Sequence, residues 1–407
     1  WMKLLIYPIF AALACLITAF YVSGDTLFHG QGLRRSLICL ILAAAVVLFY
    51  HIRNSLKIGN GKVVLVFGGI LVHLTLLRIV CYLCDANHWP MDYRLLLPPL
   101  AFAPMVHSVL VGRYAGVFSA LSVSLFGCLL MPVQEIFQFM IMSLVAGSIA
   151  VALTRKVRRR GSVLRAGFYV GVVTLLLAIT FDKISLTEIM TPYGFADEAS
   201  KVLVVLACGL LTGMVVSGLL PALESLFKLT TNISWLEMSD LNHKLLRKLQ
   251  LEAPGTYHHS MVVATLAESA AEEVGANASM CRVCSYFHDI GKLKKPEYFI
   301  ENQGEINPHD SLTPTMSAII IIAHVKDGVD MAIKHKLNPK IIEVIREHHG
   351  DSLVQYFYHK AREQRLDSEH QIEEGIENQD DLPGVDVKNF RYPGPCPTSR
   401  ESCIISR

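Results

Sequence analysis

The chain has 407 residues, room for two or more domains, with 52% hydrophobic and only 18% charged residues. That balance excludes an ordinary soluble globular protein and points to a membrane. A net charge of +2 gives no global signal for a nucleic-acid polymer, and ten cysteines spread from Cys15 to Cys403, mostly in apolar runs, exclude a disulfide framework.

The chain opens on Trp1, which suggests a missing start, and its first apolar run lacks the small-residue cleavage site of a secretory signal. Eight apolar segments precede residue 222, each near the ~20 residues that cross a bilayer as helix. They fall at about 4–22, 35–51, 63–83, 95–112, 115–131, 134–153, 166–181 and 200–220, and the fourth contains Pro98, Pro99 and Pro104. With the end of the last span on the cytoplasmic side, alternation places Arg53, Lys57, Lys62, Arg113, Arg155, Lys156, Arg158, Arg159, Arg160 and Arg165 in inner loops. Only Arg34, Arg35, Arg94 and Lys183 fall in outer ones. This bias satisfies the positive-inside rule and puts everything after residue 222 in the cytoplasm. His73, Arg78 and His107 are the ionisable groups to watch inside the spans, but no spacing among them indicates a transport relay. The pairs Cys81/Cys84 and Cys281/Cys284 lack a second pair at zinc-finger spacing and are read as structural.

Residues 223–252 interleave Leu226, Trp235, Leu236, Leu245 and Leu249 with charged residues, predicting amphipathic linker helices at the membrane face, broken at Pro254 and Gly255. Beyond them the character changes. Eight of the 16 histidines fall between residues 251 and 350. Punctuation there predicts four helices: Thr256 to Val274 ending at Gly275, Ser279 to Ile290 ending at Gly291, Thr313-Pro314 to about Gly328, and Asn338-Pro339 to Gly350. No strand alternation is seen, so the domain is expected to be all helical. In the stretch SYFHDIGKLKKP, Gly291 stands where a left-handed cap belongs, and Lys292, Lys294 and Lys295 suit the negative end of a helix dipole. Neither reading accounts for His288 and Asp289.

On the first helix His259 shares a face with Val263, Leu266 and Ala270, so it is expected to point inward, whereas His258 points elsewhere. A lone buried histidine is more often a hydrogen-bonded core residue than a ligand. Five histidines and an aspartate on four helices that must pack together are another matter: His259, His288, Asp289, His324, His348 and His349 are too many for one tetrahedral site. They suit two metals ~3.5–4 Å apart, with Asp289 as a bridge.

HDIGK with an upstream HHS and a downstream HH pair resembles the HD superfamily of metal-dependent phosphohydrolases. The fuller set APGTYHHS (253–260), HDIGK (288–292), FIENQ (299–303), NPHD (307–310), EHHG (347–350) and FRYPGP (390–395), after several membrane spans, resembles the seven-transmembrane HD receptor family of bacteria. The resemblance implies an all-α protein: a multi-span transmembrane bundle (1–222, about eight spans, seven in the family core), the linker (223–252), a cytoplasmic HD domain (253–371) and a C-terminal part (372–407). It implies a hydrolase of cyclic di-AMP, giving pApA, in the cell membrane, with two divalent metal ions, Mn²⁺ or Fe²⁺. Carried over by motif, the ligands are His259, His288, Asp289, His324, His348 and His349; Asp289 and Lys292 are catalytic, and Lys292 and His309 face the substrate. Expected partners are the cyclic dinucleotide, the bilayer and a second copy of the chain.

Two departures stand out. The family's large extracytoplasmic domain between the first two spans is reduced here to about 12 residues around 22–31, and the aspartate-bearing helix that follows a run like Glu401–Ile405 in family members does not appear. The resemblance therefore implies a fragment or truncated product lacking one carboxylate ligand, with a nucleotide-sensing receptor impaired in catalysis as the alternative. The acidic stretch from Glu369 to Asp381 is expected to be a solvated, poorly ordered loop.

Overall fold

A computed structural model describes residues 2–19, 30–53, 59–154, 157, 159–373 and 384–406. All regular structure among them is helical, apart from one isolated antiparallel bridge between Leu353 and Arg391. The chain divides into two compact units, Trp1–Ile233 and Ser234–Arg407. The division falls inside the stretch 223–252 expected to be a linker.

The first unit holds α1 (Met2–Ala19), α2 (Gly30–Arg53), α3 (Asn60–Ala86), a short α4 (Tyr93–Leu96), α5 (Phe102–Leu110), α6 (Arg113–Gly127), α7 (Ile136–Thr154), α8 (Arg160–Thr180), a short α9 (Leu186–Ile189) and α10 (Phe195–Phe227). Among the described residues, six helices of this unit, α2, α3, α6 with the turn that follows it, α7, α8 and α10, are long and apolar enough to cross a membrane. The predicted run at 95–112 is not one continuous span. Pro98 and Pro99 cannot continue a helix, and the chain breaks into α4 and α5. The run at 200–220 is longer than expected, because α10 carries straight through Pro221.

The three ionisable groups inside the apolar runs are used in helix packing. His73 Nδ1 accepts from the Ala103 N–H at 3.2 Å, securing the region where α5 begins. His107 on α5 bonds Ser119 of α6 through Nδ1 and the Leu65 carbonyl of α3 through Nε2, the latter at 3.1 Å. Arg78 donates to the Leu16 carbonyl of α1 at 3.1 Å. Helices α8 and α10 meet backbone to backbone: a Cβ on Gly167 would lie 2.5 Å from the Gly209 carbonyl oxygen, and one on Gly209 would lie 2.6 Å from Gly171 Cα. Such small-residue seams are how helices associate where there is no water to drive them together.

The second unit contains most of α11 (Asn232–Glu237), then α12 (Lys244–Glu252), α13 (Pro254–Glu273), α14 (Ala278–Phe287), α15 (Pro314–Lys334), α16 (Pro339–Glu347), α17 (Gln355–Glu373) and α18 (Arg400–Ile405). Part of the linker's apolar side turns into the protein. Trp235, Leu245, Leu246 and Leu249 are buried in this unit's core with Cys281, Cys284 and Phe287 of α14 and Val344 and Ile345 of α16. Helix starts follow the sequence closely: Thr313 Oγ1 accepts from the Met316 N–H and Asn338 Oδ1 from the Lys340 N–H, each with proline next in chain.

Two ends do not. Helix α15 runs past Gly328 to Lys334, because Val325 and Ala332 on either side of that glycine still have core to fill. Gly291 is not a left-handed cap: it lies within a 3₁₀ turn over Ile290–Lys294 and has no positive φ. It is there for a close approach. A Cβ at Gly291 would lie 1.8 Å from the His324 carbonyl oxygen and 2.6 Å from the Gly328 nitrogen. The first part of the expected acidic loop is helix, since α17 extends to Glu373 with Arg365 paired to Glu369 at 2.9 Å; residues 374–383 lie outside the described residues, as do 20–29 of the first linker.

Candidate metal centre

Asp289 sits directly after His288, the residue that ends α14, where the chain leaves the helix for the 3₁₀ turn, and only 3% of it is exposed. Its two carboxylate oxygens face different partners. Oδ1 lies 3.4 Å from His324 Nε2 and 3.5 Å from His348 Nε2. Oδ2 lies 3.2 Å from His288 Nε2, 3.8 Å from His259 Nε2 and 2.9 Å from Lys292 Nζ. Donor atoms of Asp289, His324, His348 and His349 fall within 4.8 Å of one another, and so do those of His259, His288 and Asp289. The two groups share the carboxylate.

The chemistry of these donors suits a cation. His288, His324 and His348 each donate Nδ1–H to the backbone carbonyl three residues earlier, Ser285, Ile321 and Ile345, at 2.8, 2.6 and 2.8 Å. That bond keeps a proton on each Nδ1 and turns each Nε2, the ligating atom of a neutral ring, toward the centre. All three Nε2 atoms then point at a carboxylate whose buried Oδ1 has no hydrogen-bond partner, and His324 Nε2 and His348 Nε2 face each other at 3.3 Å. The lone pairs of neutral rings so placed are drawn together by a positive ion among them. The residues fit divalent metal, with neutral imidazole and carboxylate as donors.

Titration behaviour agrees. Burial drives His348 down to about 4 and His349 down to about 2, and lowers His259 as well, so these rings are neutral near pH 7. Burial alone would raise Asp289, but His288 and Lys292 hold its carboxyl well below the usual range. Burial alone would lower His288, but the adjacent Asp289 carboxylate outweighs it and raises the pKa above 6.5. Hence His288 holds its second ring proton more tightly than a free imidazole, and a metal must displace it. Calorimetric Mn²⁺ titration below pH 6.5 in buffers of differing ionisation enthalpy should therefore read proton release, diminishing as the pH is raised. Release that stays absent across this range would contradict the protonated His288.

His259 reaches the centre for a different reason from the one expected. The buried face of α13 is the small-residue stripe Thr256, Ser260, Ala264, Ala267 and Ala271, which lets α14 pack closely. Val263, Leu266 and Ala270 instead line an open cavity of about 290 Å³ beside the carboxylate, and His259, 35% exposed, stands at its edge. His258 is exposed.

Lys292 lines the same cavity, with its ammonium engaged by two carboxylates. Its ammonium bridges Asp289 Oδ2 and Glu301 Oε1, at 2.9 and 2.7 Å, and packs over the Phe299 ring. Burial would lower Lys292, but the two carboxylates raise it. Its arrangement holds the aspartate in place. His309 is not brought to the cluster: it is buried, with Nε2 bonded to the Tyr298 carbonyl at 2.8 Å and its ring against Tyr298 and Phe357.

Three residues around the centre were not foreseen. Glu301 anchors Lys292 and accepts from Thr256 Oγ1 at 2.9 Å. Tyr392 stacks on His349 at 4.2 Å with 13° between the planes. Glu347, next to His348, accepts from the Thr398 N–H and hydroxyl and from the Ser402 hydroxyl, at 3.1, 2.8 and 2.6 Å, tying the C-terminal segment to α16. Glu301 and Tyr392 sit inside the FIENQ and FRYPGP motifs, which were the available signal.

Residues 35–231 match the family described as 7TM receptor with intracellular HD hydrolase, and residues 256–379 match the HD domain family. The chain is 33% identical over 375 residues to the cyclic-di-AMP phosphodiesterase PgpH of Listeria monocytogenes serotype 1/2a (strain 10403S), a match covering 90% of this chain and 48% of that protein. It is 32% identical over 375 residues to the cyclic-di-AMP phosphodiesterase PgpH of Bacillus subtilis (strain 168), covering 91% and 49%. The chain thus spans about half the length of the curated relatives it matches. The solved L. monocytogenes PgpH HD domain in complex with cyclic-di-AMP shows 44% identity, covering 40% of this chain and 68% of that chain, with a TM-score of 0.34. The long apolar helices together with the seven-span match make this a multi-pass membrane protein.

Proposed function

We propose that this chain, which belongs to the family of seven-transmembrane receptors with an intracellular HD hydrolase domain, is a membrane-bound phosphodiesterase that opens a cyclic dinucleotide, cyclic di-AMP, to linear pApA at the cytoplasmic face. The observation that carries the reading is the buried Asp289 carboxylate, one oxygen toward His324 and His348 and the other toward His288 and His259.

Two divalent ions, Mn²⁺ or Fe²⁺, would be held by His259, His288, Asp289, His324, His348 and His349, and would supply Lewis acidity toward water and the phosphoryl oxygens. The chain's own part is positioning. Three backbone carbonyls aim the imidazoles, Glu301 and Lys292 fix the aspartate, and Tyr392 holds His349. The apolar wall of Val263, Leu266 and Ala270 beside the carboxylate gives a base a surface to lie on. His309, in NPHD, is buried with its Nε2 on the Tyr298 carbonyl, so its part is to brace that loop. The bias of lysine and arginine toward the loops at 52–62, 112–114 and 154–165 supports a cytoplasmic second unit.

The test is Mn²⁺-dependent hydrolysis by this chain of cyclic di-AMP, cyclic di-GMP and a linear phosphodiester, followed by product chromatography. Cyclic di-AMP is expected to turn over fastest, with pApA as product. Tight binding of cyclic di-AMP with no cleavage in Mn²⁺ or Fe²⁺ would overturn the hydrolase reading.

A further inference from the structure

We propose that the groove between α2 and α6 binds an anionic phospholipid, with its phosphate at Arg53 and Arg113 and an acyl chain along the apolar trough. The inference rests on the membrane-spanning assignment and not on the hydrolytic chemistry, so its failure would leave the phosphodiesterase reading untouched.

The groove has a volume of about 800 Å³, within the roughly 300–1,000 Å³ typical of ligand sites. Val46 and Phe49 of α2 face Phe118, Leu121 and Leu125 of α6 across it. Phe49 and Phe118 lie nearly parallel at 6.3 Å. Arg53 is the last residue of α2 and Arg113 the first of α6, so both stand at the same end. Their guanidinium carbons lie 5.2 and 4.8 Å from the centre of the Tyr114 ring, and Arg113 Nη2 donates to the Tyr114 hydroxyl at 3.0 Å. Among the described residues that line the groove, none is acidic. Two cations at one mouth of an otherwise apolar trough complement a molecule with one anionic end and a long hydrocarbon, and basic pockets between spans are where anionic headgroups settle. Both arginines also count among the inner-side basic residues, the leaflet that carries anionic lipid.

A protein helix is the poorer occupant. Where helices of this chain meet closely, as α8 and α10 do, the seam is glycine against glycine. The α2/α6 groove instead presents phenylalanine, leucine, tyrosine and arginine, and a helix seated there would have to bring carboxylates to the two guanidiniums. A phospholipid brings its own charge.

The chain purified in neutral detergent, equilibrated with equal amounts of palmitoyl-oleoyl phosphatidylglycerol and phosphatidylcholine, can be read by native mass spectrometry. Wild type should retain phosphatidylglycerol over phosphatidylcholine by about tenfold or more, the scale expected of two arginines at a membrane surface. R53Q/R113Q should lose the preference. R34Q/R35Q, which removes two charges from the opposite end of α2, should keep it. Leu121→Trp, which narrows the trough with both arginines intact, should reduce retention of both lipids, and excess glycerol 3-phosphate should displace neither. The proposal is overturned by equal retention of the two lipids, by equal loss of preference in both double variants, by unchanged retention in Leu121→Trp, by displacement with glycerol 3-phosphate, or by a lipid-free dimer that Leu121→Trp dissociates.

Discussion

Asp289→Asn is expected to lower Mn²⁺-dependent phosphodiester hydrolysis by on the order of a thousandfold, the equivalent of about 4 kcal/mol of transition-state stabilisation. The substitution keeps the side chain's shape but replaces one of two anionic oxygens with an amide nitrogen that cannot bind a metal. Because Oδ1 serves one histidine group and Oδ2 the other, neither orientation of the amide serves both. Metal analysis of the purified variant should find at least one equivalent lost. Folding should survive, since Lys292 retains Glu301 at 2.7 Å. Turnover within a few-fold of wild type, measured with cyclic di-AMP, would remove Asp289 from the centre. Lys292→Gln should cost less, about 10–100-fold, as outer partners of metal ligands usually do.

The largest effect on stability is expected at Gly291. An alanine there places a methyl 1.8 Å from the His324 carbonyl oxygen and 2.6 Å from the Gly328 nitrogen, both backbone atoms of α15 that no rotamer change can move aside. The turn carrying HDIGK must separate from α15, at a cost of about 3 kcal/mol or more. The same displacement pulls Asp289 away from His324, so metal affinity should fall together with the melting temperature. Gly304→Ala is the control, because nothing lies within 4 Å of its would-be Cβ. An unchanged melting temperature and metal affinity in Gly291→Ala would show that the close approach is not required.

Much of this architecture could be read from the chain alone where local rules decide it. The apolar runs, the Thr313-Pro314 and Asn338-Pro339 helix starts, and the histidines His288 and His348 at helix ends all declare themselves within a few residues. The misreadings arose where distant contacts decide. Gly291 and Gly328 look like helix terminators, but they are small so that two backbones can touch. Leu245, Leu246 and Leu249 make a stripe equally suited to a membrane or to a protein core, and only the presence of α13 and α14 decides between them. The more apolar face of α13 looks like the inward one, but close packing selects the alanines and leaves Val263 and Leu266 to line the cavity. Lys292 has the charge to meet a phosphate, and nothing adjacent in the chain reveals that Glu301 has already claimed it.

The bonds from His288, His324 and His348 back to carbonyls of their own helices have a consequence for how such a centre arises. Each ring is aimed by the helical turn just before it, before any neighbour is present. Assembly is then a matter of bringing prefabricated helical turns together, and no concerted search among side-chain rotamers is needed. Conversely, the weak points of the centre are the turns that end α14 and α16: fraying there would turn His288 or His348 away while His324, in the middle of α15, stayed in place.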